Sequence, residues 1–270
     1  MTLARSEFKL RYFGSVLGYF WSLMRPLLFF GVIYVFFTQI VKVGKGIPNY
    51  GVYLLTGIVL WNYFAEATGG CVSCLVAREA MLRKIRFPRM VVPLSVSLTA
   101  SFNLAMNFIA VIVFALASGI QPRLSWLELI PIALGFIILA TGTGMLLAAL
   151  YVRYRDVQPI WEVIAQILFY SSPIMYLASS YKSLEHIAML NPIAVMLTQM
   201  GHAFIHPPPV ATVVPTAGGP TVVFEQKMPS ALIASGGMLH LLIALAIIPA
   251  MFALGWWFFS REAPRVAEDL

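Results

Sequence analysis

The chain has 270 residues, 60% hydrophobic and 11% charged, with a net charge of +7 and a mean hydropathy of +0.85. Soluble domains carry roughly 25% charged residues, so the composition excludes an ordinary soluble enzyme or binding module and predicts an integral membrane protein. The positive charge does not point to nucleic acid, because the basic residues cluster at the ends of apolar runs.

Residues Met1–Ser22 read as an amphipathic helix lying in the membrane interface. Phe8, Tyr12, Val16 and Phe20 recur every fourth residue, with Arg5 and Lys9 elsewhere on the wheel. No cleavable leader is expected, since the first long apolar run begins near Leu23, after a charged segment, and no small-residue cleavage site follows. Six spans are predicted: Leu23–Val41, Tyr50–Ala77, Met90–Ser118, Trp126–Tyr151, Pro159–Leu177 and Met238–Phe259. The second holds Asn62 and Glu66, with Gly69-Gly70 as an expected kink. The third holds Asn103 and Asn107, one helical turn apart. Gly142-Thr143-Gly144 supplies small residues for close packing in the fourth. Ser171-Ser172-Pro173 interrupts the fifth. Residues 178–237 read as a long extramembranous loop. Within it, the β-rich runs Val210–Val214 and Thr221–Phe224 flank Thr216–Pro220 and predict a small hairpin. Residues 260–270 form a charged tail, and the whole chain reads as one transmembrane domain.

Charge sets the orientation. The N-terminal segment with the entry of the first span, the second and fourth connectors and the tail hold Arg5, Lys9, Arg11, Arg25, Arg78, Arg83, Lys84, Arg86, Arg89, Arg153, Arg155, Arg261 and Arg265. The other side holds only Lys42, Lys45, Arg123, Lys182 and Lys227. Basic loops stay cytoplasmic, so both termini are expected inside and the long loop outside.

The connector Arg78–Arg89 is more than a tether by its pattern. Met81, Leu82 and Ile85 fall at i, i+1 and i+4 among Arg78, Arg83, Lys84 and Arg86, so a short helix gathers them on one face. Phe87 follows, and Pro88 marks the stop. A short cytosolic helix with an apolar face and cationic flanks has the shape of a docking element, and a positive-inside anchor is the plainer alternative.

Catalytic signals are sparse. No Gly-rich run ends in Gly-Lys-Ser/Thr, so a phosphate-binding loop of that kind is missing. Cys71 and Cys74 form a CxxC within an apolar segment and are expected to pack between helices. His202 and His206 lack a clear third ligand for zinc, so no metal site is expected. Glu66 is the sharper intramembrane acid, with Glu162 nearer an interface. Aromatic rings concentrate in the first, second and fifth spans. Tyr34, Phe37, Trp61, Tyr63, Tyr170 and Tyr176, together with Glu66, are candidate linings of a translocation pathway.

Several ordered stretches resemble type-2 ABC exporter permeases for polysaccharides, the family of O-antigen, capsule, teichoic acid and galactan exporters. They are Arg11-Tyr12 through Gly18, Trp21 and Pro26; YLLTGIVLWNYF at 53–64; IRFPRMVVPLS at 85–95; RYRD at 153–156; SSPIMY at 171–176; and Asn191-Pro192. The resemblance implies an all-α membrane protein with six transmembrane helices. It adds an N-terminal interfacial helix, a cytoplasmic coupling helix and short re-entrant outer-gate helices before the last span. It implies a homodimer in the plasma (inner) membrane of a bacterium, with two separate ATP-binding subunits docked from the cytosol. Arg78, Met81, Leu82, Arg83, Lys84, Ile85, Arg86, Phe87 and Pro88 then form the coupling element. Arg5, Lys9, Arg11 and Tyr12 lie where a polyprenyl-diphosphate-linked glycan is admitted from the inner leaflet. This chain itself is expected to bind no cofactor, with ATP and Mg on the partner subunit. The alternatives are a type-2 ABC permease for a drug or other small amphiphile, and a membrane-embedded glycan-processing enzyme. The outer loop is where the chain looks least like a typical member.

Overall fold

A computed structural model of the chain describes residues 18–42, 49–79, 88–177, 188–205, 210–216, 219–225 and 228–262. Among these residues the fold is all-α apart from one hairpin: α1 (Gly18–Val35), α2 (Tyr50–Val72), α3 (Val91–Ala117), α4 (Leu129–Arg153), α5 (Val157–Ser171), α6 (Pro192–Ile205), β1 (Val210–Thr216), β2 (Gly219–Glu225), α7 (Ala231–Ala234) and α8 (Met238–Glu262). The strands pair antiparallel, with Val213 opposite Val222, where the β-branched runs predict a hairpin.

Four stretches among the described residues are long and apolar enough to cross a membrane: Leu23–Ile40, Val91–Ala117, Leu124–Arg153 and Met238–Glu262. They correspond to four of the six expected spans. The other two differ in kind. Helix α2 is the hub, packing along α1, α3, α4, α5 and α6, and most of its side chains are buried. Its polar residues lower its hydropathy: Thr56 and Thr68 are buried with their hydroxyls bonded to the Val52 and Phe64 carbonyls, whereas Asn62 and Glu66 lie half-buried on its less covered face. It runs unbroken through Gly69 and Gly70, and ends at Val72 rather than at Ala77. Helix α5 has only 15 residues, short of the ~20 that span a bilayer.

Two further features stand out. Residues 192–205, which composition placed in an extramembranous loop, form a short apolar helix before the last span, where the resemblance implies short helices. From Ile193 to Ile205 nearly every side chain of α6 is buried, against α2, α4 and α8. The first span ends in a π-helical turn, Phe36–Ile40. There the Thr38 hydroxyl donates to the Tyr34 carbonyl at 2.6 Å, an i−4 back-bond of the kind that bends helices.

The α4–α8 crossing shows how tight the core is. A Cβ on Gly142 would come within 2.5 Å of the Phe252 Cα, and one on Gly255 would overlap the Gly142 carbonyl oxygen. The expected close packing at Gly142 is therefore backbone against backbone. At one end of the bundle Cys74, Leu75, Val92, Val152 and Phe259 form a buried cluster. Arg78, Arg89, Arg153 and Arg261 all lie within a few residues of it in sequence, so this is the basic end. Cys71 and Cys74 are free and buried, as packing residues.

Candidate functional site

The site is built on the break after α5. Proline disfavours helix in the residue before it, and Ser172 accordingly turns extended (φ −88°, ψ 144°) ahead of Pro173. The chain then runs on without helix through Met175 and Tyr176, so their carbonyls need donors from elsewhere. Helix α2 supplies them. Tyr50 Oη donates to the Met175 carbonyl at 2.7 Å. Tyr53 Oη shares its proton between the carbonyls of Pro173 and Tyr176, the latter at 3.1 Å. One turn further, Gly57 lies against the segment: a Cβ there would stand 3.4 Å from Ile174 Cγ2. Tyr50, Tyr53 and Gly57 fall at i, i+3 and i+7, one face of α2.

Asn191 closes the arrangement from the other side. Its Oδ1 accepts from the Ile193 N–H at 3.0 Å, capping α6, whose first residue is Pro192. Its Nδ2 donates to Ser172 Oγ at 3.1 Å. Residues 172–176 are thus clasped between α2 and the start of α6, and Ile174 is only 1% exposed.

Nearer the basic end, a polar seam joins α2 to α3 and α4. Ser101 Oγ donates to Tyr63 Oη at 3.4 Å. Ser97 and Thr141 hydroxyls meet at 2.6 Å. Asn103 Nδ2 donates to Glu66 Oε1 at 2.9 Å, and Asn107 Nδ2 to the Asn103 carbonyl at 2.8 Å. Glu66 is half-buried and shares the open face of α2 with Asn62, Ala65, Gly69 and Ser73.

Helix α5 has three faces. Trp161, Ala165, Leu168 and Phe169 pack on the core, with Trp161 against Phe64 at 6.2 Å and Phe169 against Trp61 at 5.4 Å between ring centroids. Ile160, Val163, Ile164 and Ile167 form an exposed apolar face. Gln158, Glu162, Gln166 and Tyr170, each four residues on, form an exposed polar one. Gln158 Nε2 donates to Glu162 Oε1 at 3.3 Å along it.

The residues singled out from sequence are dispersed by the fold. Trp61 and Tyr63 are buried within the bundle. Tyr34 stacks on Tyr50 at 6.3 Å and Phe37 packs partly against the core. Tyr170 is 67% exposed, and its carbonyl accepts from Tyr176 Oη at 3.0 Å. Arg78 ends a short 3₁₀ turn, Val76–Arg78, and Pro88 is exposed. Met81, Leu82, Arg83, Lys84, Ile85, Arg86 and Phe87 lie outside the described residues, as do Arg5, Lys9, Arg11 and Tyr12. His202 is half-buried with Nδ1 3.0 Å from the Met228 carbonyl, and His206 lies outside the described residues. The sequence reading missed the roles of Tyr50 and Asn191 and the polar stripe of α5. The i, i+4 spacing of Gln158, Glu162 and Gln166 was the signal for the stripe.

The chain is similar to known proteins over most of its length. The pattern of the family described as ABC-2 type transporter matches residues 1–204. The O-antigen export system permease protein RfbA of Klebsiella pneumoniae is 31% identical over 208 residues, covering 76% of this chain and 80% of that one. The protein of the same description from Myxococcus xanthus is 30% identical over 203 residues, covering 73% and 76%. Members of this family pair with an ATP-binding subunit. The chain belongs to the ABC-2 type transporter family, as a multi-pass membrane subunit of a transporter and not an enzyme.

Proposed function

We propose that this chain is the permease of an ATP-driven exporter. In this reading it moves a polyprenyl-diphosphate-linked polysaccharide from the cytoplasmic side across the plasma (inner) membrane of a bacterium. The observation that carries the reading is the similarity, over three quarters of the chain, to permeases described as O-antigen exporters. The permease works as a homodimer of six-span subunits with both termini in the cytoplasm, and two ATP-binding subunits carry ATP and Mg. Charge asymmetry supports this orientation, since Arg78, Arg89, Arg153 and Arg261 gather at one end.

The geometry supports specific roles. A continuous polar face on a membrane helix is costly against lipid, so Gln158, Glu162, Gln166 and Tyr170 of α5 face the pathway, beside Asn62 and Glu66 of α2. Amides, carboxylates and a phenol present hydrogen-bonding groups to sugar hydroxyls, and the rings of Tyr34 and Tyr176 present apolar faces to sugar C–H surfaces. The clasped segment 172–176 acts as the outer gate. Arg5, Lys9 and Arg11 attract the diphosphate at headgroup level beside Tyr12. Met81, Leu82, Ile85 and Phe87 couple the permease to the ATPase.

Disruption of the gene tests the reading. Cells lacking this chain are expected to lose a long-chain surface glycan and accumulate its lipid-linked form on the cytoplasmic face. Unchanged surface glycan with altered resistance to a small amphiphile would favour a drug permease instead.

A further inference from the structure

We propose that Glu162 on α5 determines the charge of the cargo, making this permease selective for glycans without acidic sugars. The inference rests on the reading of the α5 stripe as pathway lining, and it adds the class of glycan that the lining admits.

The make-up of the stripe carries the first part. Gln158, Glu162, Gln166 and Tyr170 recur every fourth residue and are all exposed, so they share one face of the helix. Two are amides and one is a phenol, which hydrogen-bond without charge at neutral pH. Glu162 alone is charged. It lies five residues after Val157, the first of α5, or about 8 Å along the helix. Gln158 Nε2 donates to its Oε1 at 3.3 Å. An amide donor holds a carboxylate in place without cancelling its charge, and a carboxylate accepts at both oxygens.

The neighbours carry the second part. Helix α5 packs on α2 and α4. Each of those helices contains one charged residue, Glu66 in α2 and Arg153 at the end of α4. Arg153 lies over the Tyr154 ring at 5.6 Å, and Arg155, in the turn between α4 and α5, over the Tyr151 ring at 5.0 Å. Both cations, with Asp156, come before α5 at the basic end. Deeper than that turn, the charged groups that α2, α4 and α5 bring are the carboxylates of Glu66 and Glu162.

A water-filled passage with low-dielectric walls focuses the field of such a charge. A neutral sugar meets Glu162 as an acceptor for its hydroxyls. A sugar acid brings a second carboxylate, which has no proton to donate and is repelled at every repeat. Like-charge contact is how binding sites reject a wrong partner. The diphosphate carries its charge once per chain and is common to both kinds of cargo, so it does not enter the comparison.

The test begins with the glycan that gene disruption leaves on its lipid carrier. Its sugars, read by composition analysis, are expected to be neutral, and an acidic sugar in each repeat overturns the proposal. Proteoliposomes holding the permease with its ATP-binding subunit then receive that glycan, either unaltered or with a fraction of its primary hydroxyls oxidised to carboxylates. The unaltered form is expected to be exported about fivefold faster or more. Glu162→Gln should shrink that ratio about threefold, and Gln166→Glu, which adds a carboxylate one turn deeper, should enlarge it. High salt should shrink it as well, because mobile ions screen charge and not shape. A ratio near one in the unsubstituted protein, or a ratio that Glu162→Gln leaves unchanged, overturns the proposal. Failure to export either form overturns the export reading itself, and this proposal with it.

Discussion

The hydroxyl of Tyr53 on α2 reaches the carbonyls of Pro173 and Tyr176 across the break that follows α5. With the Tyr50 bond to Met175, it makes α2 the clamp on residues 172–176. Leaving a buried carbonyl without its donor costs about 1–3 kcal/mol. Tyr53→Phe is therefore expected to lower the apparent melting temperature by a few degrees and to loosen the segment. Cysteine placed at buried Ile174 should label slowly in the otherwise unaltered protein and several-fold faster beside Tyr53→Phe. Equal rates would show that the clamp does not hold the segment.

The α4–α8 crossing makes a sharper prediction. Gly255→Leu forces a side chain into the Gly142 backbone, and overpacking of this kind costs about 1–3 kcal/mol or more. Folded yield, read by monodisperse elution in detergent, should collapse. Gly31→Ala is the control, because nothing lies within 4 Å of its added Cβ, and it should express normally.

In the proposed reading, helix α5 separates pathway from lipid within a single element. Gln166→Leu and Glu162→Leu remove polar groups from the stripe without entering the core, and both side chains are exposed. Each is expected to cut glycan export severalfold at unchanged protein level. Val163→Leu, on the exposed apolar face, should leave export as it was. Surface glycan measured against permease abundance distinguishes these outcomes.

The proposed coupling to the ATPase is argued from the sequence of the 78–89 connector alone. Interface energy concentrates in buried anchors worth on the order of 2 kcal/mol each, whereas rim charges contribute much less. Ile85→Asp and Phe87→Asp are expected to release the ATPase in co-purification, and Lys84→Ala to retain it. Retention of the partner by both Asp variants would reduce the connector to a charged anchor.

The long apolar helices were legible because lipid imposes a simple rule on them. The predicted Met90–Ser118 and Met238–Phe259 lie close to the observed Val91–Ala117 and Met238–Glu262. The hairpin was legible from β-branched runs on either side of Thr216–Pro220. Helix α2 was legible as a helix, but its role as hub was not. That role depends on contacts with helices far along the chain, as does the bond from Asn103 on α3 to half-buried Glu66. Residues 192–205 carry the same apolar composition as a span but are too short for one, and their burial follows from packing on α2, α4 and α8. The clasp at Pro173 needed both ends of a long-range pairing. Proline announced the break, while nothing local to Tyr50 or Tyr53 announced their acceptors.

Reconstitution tests the central claim most directly. Purified permease and its ATP-binding subunit would be placed in proteoliposomes containing polyprenyl-diphosphate-linked glycan. Glycan reaching the leaflet opposite the ATPase would then be read with an impermeant glycosidase. ATP-dependent appearance of glycan on that side, abolished by Ile85→Asp, is the predicted result. ATP hydrolysis by the assembled complex with the glycan remaining in its original leaflet would contradict it.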